Sequence, residues 1–413
     1  AHRARHGAFL IPITGSAGVA LAMTGRVRRS DARNDVSLFR AIGQAHLERM
    51  AGESRMEGDE RTMNNPNPYV AVLGAGSWGV ALACVLDANG CTASIWAHLE
   101  SDAEHLRKNR SLEPRLPGAR IPDSIEITSD LHGCLSRADV VLMAVPSAFM
   151  KPVAEQCAGQ GLLAGKMVIS ATKGLQVGTL RTMTNLLAEA WANENLAGLV
   201  ALSGPSHAEE VVQRIPTAVV AASTDIAAAE QAQHLLQRPE FRVYTGPDPL
   251  GTQLGGALKN VIAIAVGISD GLGYGDNTRA ALITRGLLEL SRVGVVCGAR
   301  PETFFGLSGL GDLVVTCTSR HSRNRKMGEL LAQGHDPKEA ERMVGMVVEG
   351  VETSRALDSH KPVPEDEMPI MTEVIRILLH GSEPGESVRR LLGRERKAEW
   401  HGMKDTLQHR TQG

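Results

Sequence analysis

From Tyr69 onward, short apolar runs alternate with stretches of helical periodicity. Tyr69–Leu73 is a β-rich run that ends in the glycine-rich turn Gly74-Ala75-Gly76-Ser77-Trp78-Gly79. Val80–Ala88 then has a helical pattern closed by Asn89-Gly90, and Thr92–Trp96 is a second strand. Together they predict a βαβ unit. Val140–Val145 is fully apolar and stops at Pro146, as a buried parallel strand does; Met167–Ser170 is a similar run. Leu199–Leu202, Thr217–Ala222 and Phe241–Tyr244 are further predicted strands, with helical patterns between them. Such alternation predicts an α/β fold with a doubly wound parallel sheet.

The pattern changes after about Gly251. From there to about Arg396 the periodicity is helical and no strand is predicted. Leu254–Gly294 carries apolar residues at helical spacing, interrupted by Gly271-Leu272-Gly273-Tyr274-Gly275. The expected organisation is a dinucleotide-binding domain over residues 63–250 and an all-helical substrate domain over 251–396. A polar tail, 397–413, follows. Residues 1–62 hold Arg3, Arg5, Arg26, Arg28 and Arg29 around a mildly apolar patch from Phe9 to Met23, broken by Pro12, Gly15 and Gly18. A targeting segment is one reading. The preferred one is a disordered extension or translated upstream sequence, with Met63 as the natural start.

Composition narrows the function class. The 413-residue chain is 43% apolar and 22% charged, as in an ordinary globular protein. A net charge of −2 and an aromatic content of 3% argue against nucleic-acid binding. No apolar run is read as reaching the roughly 20 residues that span a bilayer, so no membrane span is expected. The six cysteines, Cys84, Cys91, Cys134, Cys157, Cys297 and Cys317, show no paired spacing and are read as reduced thiols. No metal site is predicted.

Gly74-x-Gly76-x-x-Gly79 follows a strand and opens a helix, which is the context a dinucleotide fingerprint requires. The first glycine makes the turn, the second admits a pyrophosphate and the third lets helix and strand pack closely. A Rossmann-type sheet followed by an all-helical C-terminal domain is therefore expected. The second strand ends in Trp96-Ala97-His98, with Glu100 only later. Without an immediate acid at that end a 2′-phosphate is tolerated, so the cofactor is NADP or NAD.

The remaining motifs have both structural and chemical readings. Ala144-Val145-Pro146-Ser147 and Lys173 lie at carboxyl ends of strands, where such sheets bind ligands; a strand terminator and a solvated loop lysine are the alternatives. Ser206 is a candidate helix N-cap with Glu209 as capping-box partner, and His207 a capping-region surface residue. Lys259 and Asn260 open a long apolar helix. Burial there would lower the lysine pKa towards neutrality and suit it to proton transfer; the alternative is an ammonium that snorkels to water. Asp312, in Gly309-Leu310-Gly311-Asp312, is placed to cap a helix or steady a lysine. Ser319-Arg320-His321-Ser322-Arg323-Asn324-Arg325 suits a phosphate group or is a solvated basic loop.

The five motifs Gly74–Gly79, Ala171-Thr172-Lys173-Gly174-Leu175, Ser203-Gly204-Pro205-Ser206-His207-Ala208, Gly256-Ala257-Leu258-Lys259-Asn260 and Gly309-Leu310-Gly311-Asp312-Leu313 occur in this order. Their succession over residues 69–396, with Ser319–Asn324 and Val347-Val348-Glu349-Gly350, resembles the bacterial NAD(P)-dependent glycerol-3-phosphate dehydrogenases. The resemblance implies a cytoplasmic homodimer that reduces dihydroxyacetone phosphate to sn-glycerol 3-phosphate for phospholipid synthesis. It makes Lys259 the catalytic acid/base. It matches Ser77, Trp78, His98, Lys173, Ala208, Arg323, Val347 and Glu349 to cofactor contacts, beside Gly74, Gly76 and Gly79. It matches Lys173, Gly204, Ser206, Lys259, Asp312, Ser322, Arg323 and Asn324 to contacts with the phosphorylated triose. A two-domain β-hydroxyacid-type dehydrogenase acting on a small oxo acid is the nearest alternative. A non-catalytic dinucleotide-sensing module is another, and the lysine and arginines argue against it.

Overall fold

The computed structural model describes residues 67–399 except 160 and 397. The expectations for residues 1–62, for Met63 as a start and for most of the 397–413 tail lie outside the described residues. The described residues belong to one contact unit.

Eight strands form a single sheet in the order β3-β2-β1-β4-β5-β6-β7-β8. They are β1 Tyr69–Leu73, β2 Thr92–Trp96, β3 Glu126–Thr128, β4 Val140–Met143, β5 Met167–Ser170, β6 Gly198–Ser203, β7 Thr217–Ala222 and β8 Phe241–Gly246. All neighbours run parallel except β6 and β7, which pair antiparallel. The helices between them are α1 Ser77–Ala88, α2 Glu100–Asn109, α3 Leu131–Ser136, α4 Ser147–Cys157, α5 Met183–Ala190, α6 Ala208–Val212 and α7 Ile226–Leu236.

The expected strands are all present, with shifted ends. β4 stops at Met143 instead of Val145, β8 runs on to Gly246, and α1 starts at Ser77 instead of Val80. Periodicity missed β3, an edge strand of three residues with one buried position, too short to carry a pattern. The antiparallel β6–β7 pair departs from the all-parallel expectation. The segment that connects them, residues 204–216, holds only the five-residue α6, and β7 returns antiparallel beside β6.

The strand interiors are apolar on both faces. One face packs Val70, Val72, Val140 and Ile169 against α1 and α7; the other packs Ala71, Leu73, Val141 and Val168 against α4 and α5. Both faces are covered, so β1, β4 and β5 read as continuous apolar runs with no alternation.

Beyond β8 come α8 Pro249–Gly271, α9 Asp276–Val296, α10 Asp312–Thr318, α11 Arg323–Ala332, α12 Pro337–Val344, α13 Glu349–His360, α14 Pro369–His380 and α15 Pro384–Leu392. The 23-residue α8 is the axis of this half, and α9, α10, α11, α13 and α14 pack directly on it. It also corrects the reading that no apolar run is long enough to span a bilayer, while no membrane span follows from it. With a mean hydropathy of 1.2, α8 is long and apolar enough to cross a bilayer, and the whole of that window is buried inside the protein. A helix that is apolar all round and covered by neighbours is a core helix.

Asp248 fixes where α8 begins. Its Oδ1 accepts from the backbone N–H of Gly251 at 2.9 Å, and its Oδ2 accepts from Arg300 N at 2.9 Å and Thr303 Oγ1 at 2.7 Å. One buried carboxylate thus caps α8 and ties it to the segment that leads towards Asp312. Asp248→Ala strands three donors and is expected to lower unfolding stability by about 2–4 kcal/mol in urea titration. A loss under about 0.5 kcal/mol, the size of an inert surface change, would contradict this role.

Candidate active site

Lys259 lies in the third turn of α8, 5% exposed, surrounded by the helices that cover it. Two glycines before it set the geometry. A Cβ on Gly255 would stand 2.6 Å from the carbonyl oxygen of Ser308, and one on Gly256 would stand 2.5 Å from Ser203 Oγ. Only glycine there lets α8 lie against both the segment before α10 and the carboxyl end of β6. The approach through Ser308 brings in a π-turn, Leu307–Gly311, which delivers Asp312 to the start of α10.

Asp312 is 1% exposed and holds two lysines. Its Oδ1 accepts from Lys259 Nζ at 2.6 Å, and its Oδ2 accepts from Lys173 Nζ at 2.7 Å. Lys259 also donates to Thr316 Oγ1, one helical turn beyond Asp312, and that hydroxyl donates to the Asp312 carbonyl at 2.7 Å. Two of the three ammonium N–H bonds of Lys259 are therefore directed by protein, and one remains. Lys173 comes from the loop after β5. It donates to the Gly204 carbonyl at 2.8 Å and lies 3.4 Å from Ser206 Oγ.

Burial is the largest influence on Lys259 and favours loss of its proton; Asp312 opposes it, Lys173 reinforces it, and the pKa falls to about 8. Burial alone would raise the Asp312 pKa, but the two ammonium groups outweigh it and hold the carboxyl below its usual range. The cluster carries two positive charges and one negative, a setting for a developing oxyanion or a phosphorylated ligand. Cys317, close by, is pushed up to about 12 by burial and stays a thiol.

Ser322, Arg323 and Asn324 open α11, but their side chains do different work. Ser322 Oγ accepts from Arg325 N and caps the helix. Asn324 donates to Asn260 Oδ1 at 2.9 Å and accepts from Gly350 N at 2.9 Å, which ties α11 to the residue after Lys259. Arg323 is exposed and donates to the Val347 carbonyl at 2.9 Å. Arg325 pairs with Asp270 at 2.8 Å and so braces α8 against α11. Glu349 accepts from the N–H and the hydroxyl of Ser147, which joins the first turn of α13 to that of α4. Burial raises its pKa.

The glycine turn has the form its spacing implies. Gly74 has φ +124°, and a Cβ there would stand 2.7 Å from the Ala144 backbone; a Cβ on Gly79 would collide with the Gly74 carbonyl. A Cβ on Gly76 would meet nothing within 4 Å, so the approach to the N-terminus of α1 is open. Ser77 donates to the Arg115 carbonyl at 3.0 Å, and Trp78 lies tilted on Phe241 with ring centroids 6.5 Å apart. Ala208, buried, begins α6, which packs on α1. His98 is exposed at the end of β2 with its ring edge-on to Trp96 at 5.7 Å.

Two sequence readings are corrected here. Ser206 does not cap a helix: α6 begins at Ala208 with His207 at the N-cap position, and Ser206 Oγ instead donates to the Gly204 carbonyl at 2.9 Å. His207 is not a surface residue, because its Nε2 is buried. Sequence reasoning missed Thr316. Its signal was the four-residue spacing from Asp312, which places both on one face of α10. Among the described residues no group of three or more His, Cys, Asp or Glu is placed to hold a metal ion.

Two family models match. The NAD-dependent glycerol-3-phosphate dehydrogenase N-terminus covers residues 69–229, and the corresponding C-terminus covers 248–389. A glycerol-3-phosphate dehydrogenase [NAD(P)+] from Pelotomaculum thermopropionicum is 47% identical over 325 residues, 79% of this chain and 93% of that protein. One from Agathobacter rectalis is 44% identical over 330 residues, 80% of this chain and 97% of the relative. The crystal structure of the Coxiella burnetii glycerol-3-phosphate dehydrogenase superposes with a TM-score of 0.74 at 37% identity, covering 80% of this chain and all of that one.

The electrostatics of Lys259 give a pH signature. A reaction that needs its ammonium as acid loses rate as pH rises through about 8, and the reverse reaction, which needs the free amine, gains rate over the same range. Asp312→Asn removes the charge that raises the lysine pKa, so both transitions are expected to move to lower pH by about one unit or more. Unmoved profiles of kcat/KM in that variant would refute the coupling.

Proposed function

This chain belongs to the NAD-dependent glycerol-3-phosphate dehydrogenase family, and we propose that its Lys173–Asp312–Lys259 network serves the interconversion of dihydroxyacetone phosphate and sn-glycerol 3-phosphate. The observation that carries the reading is one buried carboxylate holding two ammonium groups beside the carboxyl ends of β5 and β6.

The residues present suit an NAD(P) cofactor. The open side of Gly76, with the unpaired N–H groups at the start of α1, suits a pyrophosphate. At the end of β2, Glu100 is engaged by Arg107 and Ser129, and His98 stands exposed. No free carboxylate there repels a 2′-phosphate, so both NADPH and NADH fit. When bound, the nicotinamide exchanges a hydride with C2 of the triose. In this reading Ser77, Trp78, Ala208, Arg323, Val347 and Glu349 surround the cofactor, and residues 63–250 carry most of that role.

Lys259 directs its remaining N–H at the C2 oxygen, stabilises negative charge as it develops there and delivers the proton. In the oxidative direction its amine takes the proton back. Thr316 and Asp312 fix the direction of the ammonium. Lys173, steadied by Gly204, Ser206 and Asp312, supplies a second positive charge. The phosphate meets the N-terminus of α11 and the Arg323 guanidinium, while the side chains of Ser322 and Asn324 hold that terminus in place. The same resemblance makes the enzyme a cytoplasmic homodimer that supplies glycerol phosphate for phospholipids.

The test is oxidation of NADH and NADPH on addition of dihydroxyacetone phosphate, beside short 2- and 3-oxo acids. Turnover of the triose phosphate alone is expected, with both cofactors active. Lys259→Met is expected to lower kcat by about 10²–10⁴-fold with cofactor affinity retained. Preference for an oxo acid would favour the β-hydroxyacid alternative. Near-normal turnover by Lys259→Met would remove the lysine from the mechanism.

A further inference from the structure

We propose that His207 is a substrate-contacting residue, whose imidazole Nε2 hydrogen-bonds an oxygen of the bound triose phosphate. The inference rests on the reaction assigned above.

His207 occupies the N-cap position of α6, yet its side chain makes no capping hydrogen bond. Its Nε2 is buried and has no hydrogen-bond partner among the described residues. A buried polar atom without a partner costs free energy, so its retention calls for a ligand that supplies one. The residue ends the loop Ser203–His207, whose Gly204 carbonyl and Ser206 hydroxyl face Lys173. Its ring meets that of His321, with centroids 6.0 Å apart, immediately before Ser322 and the start of α11. The imidazole thus belongs both to the lysine cluster, where the C2 oxygen reacts, and to the segment where the phosphate docks. A three-carbon phosphate has to bridge those two places.

The charge state suits binding rather than acid catalysis. Burial first, then the charges of Lys259 and Lys173, push the imidazole pKa down to about 4; Asp312 opposes them and His321 adds to them. At neutral pH the ring is uncharged, with one N–H donor and one acceptor nitrogen. It therefore adds no third positive charge beside Lys259 and Lys173, and it leaves proton delivery to Lys259.

Steady-state kinetics of the wild type, His207→Phe and His207→Gln provide the test. His207→Phe is expected to raise the KM for dihydroxyacetone phosphate about tenfold, the scale of one lost hydrogen bond, while the KM for NADH stays unchanged. His207→Gln, which keeps a polar side-chain nitrogen, is expected to recover most of that loss. The midpoint of the pH–rate profile should be the same in all three. An unchanged triose phosphate KM in His207→Phe overturns the proposal, as does equal impairment of both variants with NADH binding damaged too. A wild type that binds NADH but does not reduce dihydroxyacetone phosphate overturns the reaction and the proposal with it.

Discussion

The structure depends on one buried carboxylate that holds two lysine ammonium groups at once. Removing an ammonium or a carboxylate from water costs several kcal/mol per ion, and only close, directed partners offset that cost. Asp312 meets the requirement by giving one oxygen to each lysine. Its position requires α8 to lie within contact of Ser308, which Gly255 permits, and the π-turn Leu307–Gly311 to run into α10. Lys173 arrives from the sheet and Lys259 from the helical half, so the same interaction that prepares the chemistry also joins the two halves.

A second set of contacts links the nucleotide turn to the lysine cluster. Glu349 holds the first turn of α4, which follows β4, the neighbour of β1 in the sheet. Asn324 joins α11 to Asn260 and Gly350, and Arg323 reaches the Val347 carbonyl. Residues assigned to cofactor and to triose thus share a frame of hydrogen bonds. That frame fixes the reacting groups before any ligand arrives, as electrostatic preorganisation requires.

Much of this was legible in the sequence because local patterns reported on it. Gly74, Gly76 and Gly79 stood between a strand and a helix, and Lys259 stood out as a charge in an apolar helix. What escaped depends on contacts between distant segments. The three residues of β3 carry no periodicity, and nothing in the apolar runs of β6 and β7 marks their antiparallel pairing. The span of α8 was underestimated because Lys259, Asn260 and Ser269 break its apolar run, although burial by five helices makes it a core element. Ser206 and Glu209 have capping-box spacing, yet Lys173, 33 residues earlier, claims the hydroxyl. The four-residue spacing from Asp312 was the one local sign of Thr316, and the hydrogen bonds of Asn324 to Asn260 and Gly350 join segments far apart in the chain.

Burial and two charged neighbours leave Lys259 poised to exchange a proton near neutral pH. The most direct measurement is an NMR titration of the Lys259 ε-carbon in the enzyme labelled at lysine, assigned by comparison with Lys259→Met. A midpoint near 8 is expected. A midpoint above about 10, that of an ordinary solvated lysine, would contradict it.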